Sequence, residues 1–221
     1  MLLFGNNYNY EYMKIIAHRG YWLEQSEKNT LVAFERAMKC GYGFETDYRD
    51  YCGKIVIAHD VPEGKEPTAE EIFSLYQKYG MNQPLAINVK ADGLQTRLSV
   101  LLKAYNISNY FLFDMSVPDT LGYLNLSMNT ASRFSEYERE LPFIKESTTI
   151  WIDCFLKDWI TVDDIRNYLL QDKQVCIVSP ELHKRPYREV WERYVEIQDD
   201  NLMICTDHPD EADAYFNRKI Q

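Results

Sequence analysis

Short apolar runs alternate with longer amphipathic segments along the chain. The apolar runs are too short for helices, and several are rich in β-branched residues, so they are predicted to be strands. Eight such runs occur, at residues 15–17, 44–47, 85–89, 110–113, 126–128, 150–152, 175–178 and 202–205. The run at 126–128 is the weakest of them. An additional extended run at 55–58 follows a turn at Gly53.

The segments between these runs are predicted helices. Thr68 and Glu71 form a capping-box pattern, and Asn29-Thr30 opens another segment that closes at Gly41. Further helix signals are the stripe Leu94, Leu98, Leu101 and Tyr105, the starts at 135–138 and 161–164, and the prolines Pro186 and Pro209.

A strand followed by a helix, repeated eight times, indicates parallel strands with crossover helices on the outside. An open doubly wound sheet also satisfies this alternation. Eight units in 221 residues fit a closed barrel better, although such barrels typically have about 250 residues. We therefore predict an α/β fold, a small single-domain (β/α)8 TIM barrel over residues 14–221, preceded by an N-terminal extension at 1–13.

The overall charge limits the partners. A formal net charge of −10 repels DNA, RNA and anionic lipid, and the sequence has no run of Lys and Arg to offset it. We therefore expect no nucleic-acid partner. A phosphodiester substrate would need a metal ion or one or two well-placed cations to hold its own negative charge.

The cysteines and the N-terminus bear on location. The five cysteines are an odd number without C-x-x-C spacing, and three of them lie in apolar runs, so they are expected to be buried thiols in a reducing compartment. The chain begins without a basic and apolar segment typical of a signal peptide, and no stretch is long enough to span a bilayer. We expect a cytoplasmic protein without an integral membrane segment.

Polar residues at the ends of the predicted strands are the candidates for function, because active residues of such barrels lie there. Glu45 and Asp47 are two apart on one strand, so both carboxylates should point into the upper barrel. A Mg²⁺ or Ca²⁺ ion would remove their mutual repulsion. Solvation of the pair, or bridging by Arg19 or Lys90, is the alternative. Other strand-end candidates are His18, Asn88, Asp153, Thr206 and Asp207.

His59 follows the extended run at 55–58 and is expected to return to the barrel mouth near His18. Together with the acidic pair, the two histidines indicate one catalytic site. Residues 14–60 contain His18-Arg19-Gly20, Asn29-Thr30, Ala33-Phe34, Ala37, Gly41, Glu45-x-Asp47 and Val56-x-x-His59-Asp60, and weaker matches follow in Pro67-Thr68 to Leu75, Asn88-x-Lys90 and Thr206-Asp207-x-Pro209. In order and spacing these residues resemble the glycerophosphodiester phosphodiesterase signature.

The resemblance implies a metal-dependent phosphodiesterase acting on a small or lipid-derived phosphodiester. It implies that Glu45 and Asp47 bind the divalent ion and that His18 and His59 serve as general base and acid. A hydroxyl of the substrate would attack phosphorus, giving a cyclic phosphate that is either released or opened by water. Two further residues, Arg19 and Lys90, suit the phosphate oxygens by charge and geometry.

The sequence departs from the family pattern at two places. Asn88 stands where the family usually has a third acidic metal ligand, and its carbonyl could ligate a metal only without charge. Another carboxylate could compensate, and the candidates are Asp114, Asp153 and Glu181. Lys28 reverses a charge, because the family commonly has glutamate before the Asn-Thr pair.

Two other classes of function stay open. The loss of an acid at Asn88 is also typical of a catalytically weakened relative that binds a phosphorylated ligand. A different metal-dependent barrel enzyme, such as a sugar isomerase, would use both His18 and His59 as direct metal ligands.

Overall fold

The computed structural model describes residues 13–217, and the predicted N-terminal extension lies, except for Met13, outside the described residues. The described chain contains nine strands, seven α-helices and two short 3₁₀ helices. The strands are β1 (Lys14–His18), β2 (Gly43–Tyr51), β3 (Lys54–Ile57), β4 (Leu85–Val89), β5 (Tyr110–Phe113), β6 (Ala131–Ser135), β7 (Thr149–Asp153), β8 (Gln174–Val178) and β9 (Leu202–Thr206). The helices are α1 (Leu31–Lys39), α2 (Ala69–Lys78), α3 (Gln95–Ala104), α4 (Val117–Asn125), α5 (Val162–Leu169), α6 (Arg188–Glu192) and α7 (Pro209–Phe216), with 3₁₀ helices at Gln25–Glu27 and Pro180–His183.

Eight of the strands are parallel neighbours in the order β5-β4-β2-β1-β9-β8-β7-β6. The two ends of this order meet through a parallel bridge between Leu112 and Thr130, where the Leu112 amide donates to Asn129 at 2.9 Å. β3 pairs with β2 as an antiparallel hairpin outside the ring. The predicted (β/α)8 barrel is therefore confirmed, with a thin seam between β5 and β6.

The stretch between β5 and β7 differs from the prediction. The strand predicted at 126–128 is wrong, because these residues end α4 and turn, with Ser127 at a φ of +53°. Met128 is buried in the layer between barrel and helices, and its amide donates to the Tyr123 carbonyl, so its burial does not come from a strand. The strand is β6, whose sequence carries an arginine and three short polar or small side chains and lacks a clear apolar run.

The helix predicted to start at 135–138 is also wrong. Ser135 ends β6, and its hydroxyl accepts a hydrogen bond from the Tyr137 amide, which closes a tight turn. A serine hydroxyl that accepts from a nearby backbone amide can begin a helix or close a turn, and here it closes a turn. β6 and β7 are joined without an α-helix in the described chain.

Side chains fill the barrel interior and a second layer between barrel and helices. The interior cluster consists of Ile16, Ala86, Phe111, Phe113, Trp151, Cys176, Val178, Met203 and Cys205. All five cysteines are free thiols. Three of them, including Cys154, are buried as expected, but Cys40 and Cys52 are exposed because they lie at a helix end and in a hairpin turn. No helix within residues 13–217 has the length and apolar character to cross a membrane.

The predicted capping box at α2 is present. The Thr68 hydroxyl accepts from the Glu71 amide at 3.3 Å, and the Glu71 carboxylate accepts from the Thr68 amide at 2.8 Å. Thr68→Ala is therefore expected to lower the free energy of unfolding by about 1 kcal/mol, measured by urea denaturation. Ser74→Ala, on an exposed position of the same helix, is the control and should change it by less than about 0.5 kcal/mol. Equal effects of the two would contradict the capping role.

Candidate active site at the barrel mouth

The acidic pair lies in the first half of β2, level with the carboxyl ends of the neighbouring strands β1 and β4. His18 of β1 is in register with Glu45 of β2, and Asp47 of β2 is in register with Asn88 of β4. Glu45, Asp47 and Asn88 are only 2%, 0% and 7% exposed. The strand register thus places these polar groups on the inner wall of the upper barrel, where water is largely excluded.

Asp47 is held by two cations and an amide. One carboxylate oxygen accepts from Asn29 Nδ2 at 2.8 Å and lies 3.2 Å from Arg19 Nε. The other oxygen lies 3.5 Å from Lys90 Nζ. Arg19 and Asn29 both have positive φ, +58° and +60°, and the Asn29 amide donates to the Arg19 carbonyl. The bend of this loop therefore brings both side chains over Asp47.

Glu45 is the most perturbed carboxyl group of the mouth. Its Oε2 accepts from the Arg19 backbone amide at 3.1 Å and lies 3.9 Å from His18 Nε2. Burial raises its pKa to about 7, and the charge of Asp47 adds to the rise, while His18, Arg19 and Lys90 oppose it. Such a rise means that the pair is costly to keep fully ionised without another cation.

His18 is oriented by a carboxylate from the last strand. Its Nδ1 lies 2.6 Å from Asp207 Oδ1, and Lys28 Nζ lies 3.5 Å from the other oxygen of Asp207. Burial tends to raise the Asp207 pKa, but the hydrogen bond and charge of His18, together with Lys28, hold it below its ordinary value. The imidazole therefore presents Nε2 toward Glu45 with its other nitrogen fixed.

Asp207 is itself anchored by Glu181. One Glu181 oxygen accepts from the Asp207 amide at 3.1 Å and from the Thr206 hydroxyl at 2.5 Å. The Ser179 hydroxyl donates to the other oxygen and accepts from Trp191 Nε1 at 2.8 Å. Glu181 thus stabilises the strand end that carries Asp207.

His59 lies at the same rim but points elsewhere. The amide before it, that of Ala58, donates to the Asp47 carbonyl at 3.0 Å, so its backbone lies beside the acidic strand. Its side chain is 45% exposed, and its Nδ1 is 2.9 Å from Asp60 Oδ1. Within the described chain it makes no hydrogen bond to Glu45 or Asp47. Its catalytic role stays a prediction.

Charged groups continue across the mouth to the strands on the far side. Lys90 lies 3.6 Å from Asp114 Oδ2, and Arg133 donates to the other oxygen of Asp114 at 2.9 Å. Burial raises the Asp114 pKa, while Arg133 and Lys90 oppose the rise. His183 Nε2 pairs with Asp153 Oδ1 at 2.6 Å. The sequence shows polar residues after β5, β7 and β8, but it does not show which of them pair with one another.

The donor set of the acidic pair fits a hard cation. Asp47 Oδ1 and Asn88 Oδ1 are both buried and have no hydrogen-bond donor in the described chain. Oxygen ligands from two carboxylates and an amide suit Mg²⁺ or Ca²⁺. The alternative to a metal was that Arg19 or Lys90 neutralises the pair. Both cations do lie beside Asp47.

No additional carboxylate completes the set. Among residues 13–217, no three Asp, Glu, His or Cys side chains converge closely enough to hold a metal ion. Asp114, Asp153 and Glu181 instead bind Arg133, His183 and Thr206. The polar side chain in register with Asp47 on the neighbouring strand is the uncharged Asn88.

Comparison of the sequence with models of protein families and with curated proteins gives no match. A Galdieria sulphuraria protein assigned as a glycerophosphodiester phosphodiesterase superposes with a TM-score of 0.76 at 19% identity, covering 93% of this chain and 98% of its own. An Oleispira antarctica phosphodiesterase in complex with the product sn-glycerol-3-phosphate gives 0.61 at 15%, covering 95% and 99%. A Ca²⁺-dependent phosphatidylinositol-specific phospholipase C from Streptomyces antibioticus gives 0.60 at 10%, covering 90% and 95%. The chain therefore has the barrel fold of glycerophosphodiester phosphodiesterases and of this phospholipase C.

Proposed function

We propose that the chain is a metal-dependent phosphodiester hydrolase that acts on a small or lipid-derived phosphodiester with a hydroxyl next to the ester. The observation that carries this proposal is the oriented His18–Asp207 pair, 2.6 Å apart, whose imidazole faces the buried acidic pair. The named activities of proteins with the same barrel, including one bound to sn-glycerol-3-phosphate, support the choice of substrate class.

Glu45, Asp47 and Asn88 would hold the ion, and a Ca²⁺-dependent protein with the same barrel supports a divalent metal, Mg²⁺ or Ca²⁺. A bound divalent ion supplies charge neutralisation and lowers the pKa of an adjacent hydroxyl. His18 Nε2 accepts the proton of the attacking hydroxyl. Asp207 then stabilises the imidazolium that forms, because its carboxylate is bonded to Nδ1.

Arg19 and Lys90 bind the phosphate oxygens in this proposal. Both cations already lie over Asp47 and are about one-fifth to one-quarter exposed, so each can also reach a ligand in the mouth. They offset the negative charge that builds up on phosphorus during attack. Such local cations are required because the whole chain carries a net charge of −10.

His59 protonates the departing alcohol oxygen in this proposal, and the two histidines exchange roles when water opens the cyclic phosphate. Its backbone is fixed beside Asp47 through Ala58, and this role requires its half-exposed side chain to turn away from Asp60. The sugar isomerase alternative requires both imidazoles on one metal. The pairing of His59 with Asp60 does not favour it.

Asn88 favours one second candidate, a weakened relative that binds a phosphorylated ligand without turnover. An amide in place of a carboxylate lowers the affinity for the ion, and no other carboxylate compensates in the described chain. In either case we propose a cytoplasmic location and a place in lipid metabolism.

Hydrolysis of glycerophosphocholine by the purified full chain tests the proposal. We expect turnover with Mg²⁺ or Ca²⁺, loss of turnover with a chelator, and recovery when the ion is restored. Phosphorus NMR of the products separates a hydrolase from a lyase that stops at the cyclic phosphate. Binding of sn-glycerol-3-phosphate without turnover at any concentration of either ion would instead support the weakened relative.

A further inference from the structure

Large apolar side chains are exposed around the barrel mouth. Eleven such side chains are exposed in the described chain, and five of them follow the ends of barrel strands or of the β3 hairpin. These five, called the apolar rim below, are Leu23, Val61, Val117, Tyr137 and Leu156, and their exposed fractions are 64%, 81%, 54%, 71% and 66%. They lie on five different connections at this end of the barrel, those that follow β1, β3, β5, β6 and β7.

The most apolar part of this rim is held in place. The carboxylate of Glu136 accepts hydrogen bonds from the backbone amides of Phe155, Leu156 and Lys157 at 3.0, 2.9 and 3.3 Å. The Tyr137 ring lies 6.0 Å from the Phe155 ring. The loop after β7 is therefore fixed to the loop after β6, with the Leu156 side chain in water.

The rim is continuous with the candidate site. Phe155 lies between the two, with its ring 5.0 Å from the His183 ring and 5.8 Å from the Arg133 guanidinium. Arg133 in turn binds Asp114, which lies beside Lys90 over the acidic strand. A molecule resting on the rim would therefore have its polar end at the catalytic groups.

The negative charge of the chain indicates which kind of lipid surface the apolar rim would bind. Five acidic residues lie on the same connections as Leu23 and Val61, against the three cations Arg19, Lys28 and Lys65, and the net charge of the chain is −10. The acidic residues are Glu24, Glu27, Asp60, Glu63 and Glu66. Both features repel anionic lipid and nucleic acid. Exposed apolar side chains beside a polar opening suit a zwitterionic lipid surface, which presents hydrocarbon and phosphodiester groups together.

We propose that the apolar rim docks the barrel mouth onto a zwitterionic lipid surface, from which the phosphodiester headgroup of a lipid-derived substrate reaches the site. The inference rests on the proposed function for the identity of that substrate. Docking itself depends only on the rim, so that it can be tested apart from catalysis.

Sedimentation with phosphatidylcholine vesicles tests the inference. The wild-type chain is expected to sediment with them, and the double variant Tyr137→Ser with Leu156→Ser is expected to bind at least about tenfold more weakly. Leu170→Ser is the matched control, because Leu170 is 83% exposed at the end of α5 and away from the rim. Its binding should equal that of the wild type. Vesicles rich in phosphatidylglycerol should bind the wild type more weakly than phosphatidylcholine vesicles.

A second variant gives a readout that does not depend on loss of binding. Leu156→Trp should show a blue shift of its added fluorescence when phosphatidylcholine vesicles are present, since the indole would enter a less polar medium. Leu170→Trp should show none. Thermal unfolding of every variant should match the wild type, because all the replaced side chains are exposed.

The outcomes separate this inference from the proposed function. No sedimentation of the wild type, equal binding of the rim variant, or binding only to anionic vesicles would overturn the docking inference. Soluble glycerophosphocholine should be hydrolysed equally by wild type and rim variant. Vesicle binding without hydrolysis of any phosphodiester would leave docking supported and overturn the proposed function.

Discussion

His18→Ala is expected to lower kcat/KM for glycerophosphocholine by about 10²–10⁴-fold, the range typical for loss of a positioned acid or base. The reason is geometric. His18 is the histidine whose one ring nitrogen is fixed by Asp207 at 2.6 Å while the other faces Glu45. The measurement is steady-state hydrolysis at saturating Mg²⁺ or Ca²⁺, with circular dichroism to show that the barrel is retained.

Two matched variants sharpen the result. Asp207→Asn should reduce kcat/KM by about 10²-fold or more, because an amide at that position can donate to Nδ1 and stabilise the wrong tautomer. His208→Ala should keep near wild-type activity, since that ring stacks on Tyr187 at 5.2 Å and starts α7. A loss of less than about tenfold in His18→Ala would contradict the assignment of the base.

The barrel could be predicted because its strands have strong local patterns. β4, β7, β8 and β9 are apolar along nearly their whole length, as strands covered on both faces must be. β6 lacks that pattern because its side chains meet a polar turn and a hydroxyl cluster, in which Ser132 bonds Ser147 at 2.8 Å. Periodicity could not find a strand in which hydrogen bonds satisfy several side chains in place of apolar packing.

The candidate site could be predicted only where it lies within one local motif. Alternation along β2 puts Glu45 and Asp47 on one face, and Asn88 lies near the end of the next parallel strand, so the grouping of these three residues was predictable. The His18–Asp207 bond joins residues 189 positions apart, and barrel closure alone brings them together. Asp207 could be chosen as a strand-end residue, but its partner could not be identified without the three-dimensional order of the strands.

Glu45→Gln is expected to lose activity and gain stability. Removal of this charge from a preorganised site should lower kcat by about 10²-fold or more. In divalent-free buffer, however, glutamine keeps the size of the side chain and still accepts from the Arg19 amide. It also removes the cost of a charge buried beside Asp47. Function and stability therefore oppose each other at this position.

The pH dependence gives the sign of the stability change. The folded-state pKa of Glu45 is raised from 4.5 to about 7, so its ionisation destabilises the folded state above pH 4.5, increasingly up to about pH 7. With about 1.4 kcal/mol for each pKa unit, Glu45→Gln should raise the free energy of unfolding by roughly 3 kcal/mol at pH 8 and by almost nothing near pH 4. Urea denaturation in a chelator measures both values.

Added divalent ion should reverse the order at pH 8. The wild type binds the ion through Glu45 and is stabilised in proportion to its occupancy, whereas the glutamine variant has lost that ligand. Thr46→Ser is the control, because it lies between the two acids and leaves their charges unchanged. Equal stabilisation of wild type and Glu45→Gln by Mg²⁺ and by Ca²⁺ would show that the ion binds elsewhere. In that case Arg19 and Lys90 would be the cations that neutralise Asp47.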